Sequence, residues 1–95
     1  MLTSKDRAKY AGLANKLEAK FQIGKEGINE NMLSQLTQYL ELHELVKIKL
    51  QKSVTESPRE MCDVLVAKLN AEPVLLVGSV VVLYRKSSRK DIIHI

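Results

Sequence analysis

Leu45-Val46-Lys47-Ile48-Lys49-Leu50-Gln51 is the stretch that decides the fold. Successive residues of a strand point to opposite sides, so Val46, Ile48 and Leu50 fall on one face and Lys47, Lys49 and Gln51 on the other. The pattern predicts a strand with one face on a core and two lysines offered to solvent. Just upstream, Leu33, Leu36 and Leu40 recur at helical spacing with Met32 and Tyr39 beside them. Asn29 is placed to cap that helix, which should run to about Leu42. Earlier still, Lys20-Phe21-Gln22-Ile23 alternates as a short strand would, and Gly24-Lys25-Glu26-Gly27 interrupts it.

The flanks extend this order. Residues 3–18 read as a first helix, with Thr3 and Asp6 at capping-box spacing and Tyr10, Leu13, Ala14 and Leu17 on one face. At about 100° per residue, Lys5, Lys9 and Lys16 lie within about 40° of each other on an adjacent face. Downstream, Ser57-Pro58-Arg59-Glu60 combines a serine cap, a first-turn proline and a capping-box glutamate. A third helix should run from Pro58 to about Asn70, with Met61, Val64, Leu65 and Leu69 along one side, until Glu72-Pro73 ends it. Val74 to Val77 and Val80 to Tyr84 then read as strands joined by a tight turn at Gly78-Ser79. Both are almost wholly apolar, which predicts strands that are central or covered on both faces.

The resulting order is α-β-α-β-α-β-β. It predicts an α/β fold, a single domain over residues 1–95 with a four-stranded mixed sheet packed with helices. Strands joined through helices should run parallel and the final hairpin antiparallel. The basic tail from about residue 86, with Ile92, Ile93 and Ile95 beyond it, is expected to be loose or to add an edge strand.

A chain of 95 residues suits one compact domain. Its one cysteine, Cys62, cannot form an internal disulfide, which suits a reducing compartment. Met1-Leu2-Thr3-Ser4-Lys5 lacks the apolar run of a signal peptide, and no segment approaches the roughly 18 apolar residues of a membrane span. A cytoplasmic protein with no membrane association is expected, and nothing calls for more than a monomer.

Net charge is +4, and its distribution says more than its size. Residues 1–25 carry six basic and two acidic side chains, residues 26–84 five and eight, and residues 85–95 four and one. Positive charge segregated to both ends favours a polyanionic partner. Catalysis lacks parts: His43 and His94 stand at no metal-like spacing from Cys62, and the glycines are too few for a nucleotide-binding fingerprint. No enzyme, metal or cofactor is expected. Gly24-Lys25-Glu26-Gly27 has better prospects. It lies between a strand and a helix start, where backbone N–H groups and the helix dipole favour an anion. Glycine at each end lets the main chain approach a phosphate, as in the loop with which KH domains clamp a nucleic-acid backbone. Together with Lys5, Lys9 and Lys16, with Lys47 and Lys49, and with the tail from Arg85, it makes four basic elements. The aromatics are few (Tyr10, Phe21, Tyr39 and Tyr84), so recognition should lean on backbone and shape.

The chain also resembles the CRM domain (chloroplast RNA splicing and ribosome maturation) in its stand-alone bacterial YhbY-like form. Leu13-Ala14, Ile23-Gly24-Lys25-Glu26-Gly27-Ile28-Asn29, Glu41-Leu42-His43-Glu44-Leu45-Val46-Lys47-Ile48-Lys49 and Gly78-Ser79-Val80-Val81-Val82-Leu83-Tyr84-Arg85 carry the likeness. The resemblance implies a fold like the C-terminal domain of translation initiation factor three. It also implies binding of structured ribosomal RNA through the GxxG loop, in assembly of the large ribosomal subunit. Gly24, Lys25 and Gly27 would form that loop, and Lys47 and Lys49 would touch the backbone. Two other readings stand beside it: an Alba-like nucleic-acid binder, and a protein-interaction module for an acidic partner.

Overall fold

The computed structural model describes residues 2–54 and 56–92; the expectations for Ile93, His94 and Ile95 lie outside the described residues. Helix α1 spans Ser4–Ala14. The Thr3 hydroxyl accepts the Asp6 N–H at 3.1 Å while the Asp6 carboxylate accepts the Thr3 N–H, the predicted capping box. The helix stops four residues short of the expected end. Only Tyr10 and Ala14 of its apolar stripe are buried, whereas Leu13 and Leu17 stay 37% and 39% exposed. A helix is held mainly by what its apolar face covers. Beyond Ala14 the Lys16 and Leu17 amides instead donate to the Leu13 and Ala14 carbonyls in a tighter turn.

Strand β1 (Phe21–Ile23), helix α2 (Glu30–His43), strand β2 (Leu45–Leu50), helix α3 (Pro58–Leu69) and strands β3 (Glu72–Val77) and β4 (Val80–Tyr84) complete the order α-β-α-β-α-β-β. Asn29 and Ser57 cap α2 and α3 by accepting the Met32 and Glu60 N–H groups at 2.8 and 3.2 Å. Both helices end on a left-handed residue, Glu44 (φ 64°) and Asn70 (φ 53°). Gly78 takes φ 56° in the tight turn between β3 and β4, where a side chain would be strained.

The sheet order is β1-β2-β4-β3. β1 runs parallel to β2, and β4 runs antiparallel to both β2 and β3. β4 therefore inserts between β2 and β3, and the connection through α3 passes over one strand. Central β4 is covered twice: Val81 and Leu83 face the α2/α3 side, Val82 and Tyr84 the α1 side. β3 departs from expectation, because it is an edge strand with Val77 60% exposed. It carries Pro73 and a register shift between Pro73 and Leu75. Proline and bulges are tolerated at edges and discourage pairing with another chain.

The larger core lies between the sheet and α2/α3, around Ile23, Leu36, Leu40, Val46, Ile48 and Leu65, none of which is exposed to solvent. A smaller cluster holds α1 against the opposite face through Tyr10, Ala14, Leu45, Val74, Val82 and Tyr84. The Tyr10 and Tyr84 rings stack there with centroids 4.3 Å apart, and burial, followed by the hydrogen bond to Tyr10, raises the Tyr84 hydroxyl pKa. Among the described residues no helix is long and apolar enough to cross a membrane.

Candidate nucleic-acid interface

The Gly24-Lys25-Glu26-Gly27 segment is a β-turn closed by the Gly27 N–H donating to the Gly24 carbonyl at 2.9 Å. Lys25 and Glu26 occupy its two central positions and are exposed. Gly27 takes φ 71°, the left-handed conformation that glycine reaches without strain. Among the described residues no hydrogen bond engages the Lys25 or Glu26 main-chain amide, so both remain available to an anion. Helix α2 begins three residues beyond the turn, with its dipole directed that way. Glu26 and Glu30 weaken the local positive field, which leaves Lys25 as the cation of the turn.

Residues paired across a ladder share a face of the sheet. Gln22 is opposite Lys49, so these two side chains stand together on the α1 side. Lys47 precedes Lys49 on that face by roughly 7 Å. A strip can thus be followed from Lys25 through Gln22 and Lys49 to Lys47 and the end of α1. Lys49 is exposed, as expected of the polar phase of β2. Lys47 is not: it is half-buried, and its ammonium donates to the Ala14 and Leu17 carbonyls at 3.5 and 3.3 Å. It closes the C-terminal end of α1, where free carbonyls and the helix dipole favour a cation. Lys47→Ala should therefore lower stability by about 0.5–1 kcal/mol, a drop of a few degrees in Tm by circular dichroism. An unchanged Tm would remove the capping role.

Lys16 lies in the turn that Lys47 holds and is exposed. It has left the helical row it was expected to share with Lys5 and Lys9. Those two are exposed on α1, about 140° and 100° around the helix from the sheet-facing Tyr10. The Lys9 ammonium sits 5.6 Å from the centre of the Tyr10 ring.

Arg85 is not brought to the loop. β4 runs against β2, so Arg85 follows Tyr84 opposite Leu45, at the start of β2. The loop follows Ile23 opposite Leu50, at its end, roughly 17 Å away along the strand. The Arg85 guanidinium is 3.6 Å from the Glu41 carboxylate, and the Arg85 main-chain N–H donates to the Glu44 carbonyl. Within the described residues, Ser87 and Ser88 continue this attachment. The buried Ser87 donates its N–H to Glu44 Oε2 at 2.7 Å and its hydroxyl to the Glu41 carbonyl at 2.6 Å. Ser88 donates its N–H to Glu41 Oε2 at 3.0 Å. Bonds from the Ser87 hydroxyl, and then from the Ser88 N–H, hold the Glu41 carboxyl below the usual carboxylate range. Glu41, Glu44 and Ser87 are not among the expected site residues, because Ser87 is far from the two glutamates in sequence and meets them only once β4 has paired with β2.

Among the described residues no group of three or more His, Cys, Asp and Glu side chains could hold a metal. Cys62 is buried, and burial, with the neighbouring Asp63, pushes its thiol pKa up, away from nucleophilic use.

Residues 2–85 match the CRS1 / YhbY (CRM) domain family. The chain is 32% identical over 95 residues to YqeI of Bacillus subtilis, named as a probable RNA-binding protein, covering 100% of this chain and 99% of that one. It is 30% identical over 91 residues to a Haemophilus influenzae protein named as RNA-binding, covering 96% of this chain and 92% of that one. The solution structure of SAV1595 from Staphylococcus aureus, described as a candidate RNA binder, superposes with a TM-score of 0.79 at 36% identity, over 96% of this chain and 95% of that one. With a family match over almost its whole length and the same α/β architecture in a solved relative, the chain belongs to the CRS1 / YhbY (CRM) domain family.

Proposed function

We propose that this protein is an RNA-binding ribosome-assembly factor, not an enzyme. It acts in the cytoplasm as a monomer over one domain, and contacts structured ribosomal RNA in a precursor of the large subunit. The observation that carries this reading is the strip of the sheet face that joins the exposed Lys25 turn to Lys49. Two ammonium groups, two main-chain amides that have no partner among the described residues, and the open Gly27 end of the turn meet the needs of a phosphate backbone. The names of the relatives support RNA as the polyanion. Lys16 extends the strip past Lys47, and Lys5 and Lys9 widen it over α1. Arg85, paired with Glu41 at the other end of β2, stands outside the strip. In mechanism, the protein docks on a folded RNA element and holds it while neighbouring contacts form.

Ultraviolet crosslinking in growing cells, followed by sequencing of the attached RNA, tests this. Reads should concentrate on a few elements of large-subunit ribosomal RNA, with the crosslinked peptide covering the Gly24–Gly27 turn or β2. Reads spread evenly over messenger and transfer RNA would overturn the ribosomal assignment. Equal affinity of the purified protein for duplex DNA would favour an Alba-like binder instead.

A further inference from the structure

We infer that Gln22 and Gln51 form a paired amide reader that recognises one unpaired RNA base between the phosphate contacts of Lys25 and Lys49. The inference rests on the RNA-binding reading above and adds base selectivity to it. Gln51 Nε2 donates to Gln22 Oε1 at 2.8 Å across the β1–β2 edge, although both residues are exposed. The Gln51 N–H also donates to the Ile23 carbonyl at 2.8 Å, which fixes its backbone to the end of β1. Two long polar side chains at a surface are thus held in place before any ligand arrives, and less ordering entropy is lost on binding.

Their position is equally specific. Gln22 and Gln51 belong to the walls of two adjoining hollows. One, of about 350 Å³, is lined by the Gly24–Gly27 turn; the other, of about 620 Å³, by Lys49 and the loop after β2. Gly24 makes room for the pair: a Cβ built there would lie 2.6 Å from Gln51 Oε1. The glycine that starts the turn therefore also admits the amide. Each amide carries a donor and an acceptor side by side, and the bond between the two uses only one of each. The remaining groups belong to exposed side chains that line the same two hollows as Lys25 and Lys49. A donor–acceptor pair of this kind matches the edge of a base, adenine N6 and N7 in particular, whereas a phosphate offers acceptors alone.

The test uses a pool of RNA hairpins with a fixed stem and ten randomised loop nucleotides, equilibrated with the full chain and sequenced in bound and free fractions. The wild type should enrich one base at a loop position. Gln51→Met and Gln22→Met keep the stems and remove the amides. Each should cut that enrichment about tenfold and leave the salt dependence of binding unchanged. Lys25→Ala should weaken binding to all loops alike and flatten the salt dependence. Circular dichroism checks that each variant is folded. Glutamine variants with undiminished base preference overturn the inference, as does a wild type that binds all loops equally. A wild type that binds no member of the pool would remove the RNA reading itself.

Discussion

Ile48→Asp should abolish the folded state. Ile48 has no exposed surface, and it sits mid-strand between Phe21 of β1 and Val81 of β4, beneath α2 and α3. Losing its side chain removes about 2–5 kcal/mol of packing. Setting a carboxylate in the same apolar site adds several kcal/mol more, whether it stays charged or takes up a proton. A domain of this size has about 5–14 kcal/mol in total, so the substitution consumes most or all of it. Far-UV circular dichroism should show no cooperative melt, and amide resonances should collapse into the unfolded range. Lys49→Asp, one residue on and facing solvent, should move stability by no more than about 0.5 kcal/mol. A cooperatively melting Ile48→Asp protein would mean that the two faces of β2 had been exchanged.

That contrast also shows how far residues could be read in advance. Alternation in β2 told which side is the core, because a strand with a period of two can bury only one phase of a mixed pattern. It did not tell that Leu45, in the opposite phase, would be 3% exposed beneath α1. The stripe on α1 reduces to Tyr10 and Ala14, too narrow to announce which face it covers. The apolar runs of β3 and β4 look alike, yet one is an edge and the other central, since hydrophobicity records burial and not lateral neighbours. Pro73 was the available signal, as proline is confined to edges. Within the candidate site, Lys47 and Lys49 are equivalent in the alternation, and only the end of α1 separates a capping lysine from a free one. Gln22 and Gln51 could have been drawn in from their phase, which is that of the lysines. Charge alone groups Arg85 with the loop, while strand direction sends it to the other end of the sheet.

The Lys25→Ala/Lys49→Ala double variant should bind ribosomal RNA roughly 25- to 60-fold more weakly at 0.1 M salt, with its fold intact. Among the described residues neither ammonium takes part in an ion pair or a side-chain hydrogen bond, and both are exposed, so the domain should melt within a degree or two of the wild type. The expected loss follows from counterion release. Each phosphate contact contributes about 0.7–0.9 to the slope of log affinity against log salt. Removing two should therefore flatten that slope by about 1.4–1.8, and the two proteins should converge as salt approaches 1 M. Arg85→Ala supplies the control, because its guanidinium is already paired with Glu41 and lies at the opposite end of β2. It should change the slope by less than half a unit. Equal slopes for wild type and double variant would mean that Lys25 and Lys49 touch no phosphate, and that the strip between turn and sheet is not where RNA lies. A loss confined to Arg85→Ala would move the interface to the other end of the molecule, where Glu41 holds the chain's basic tail.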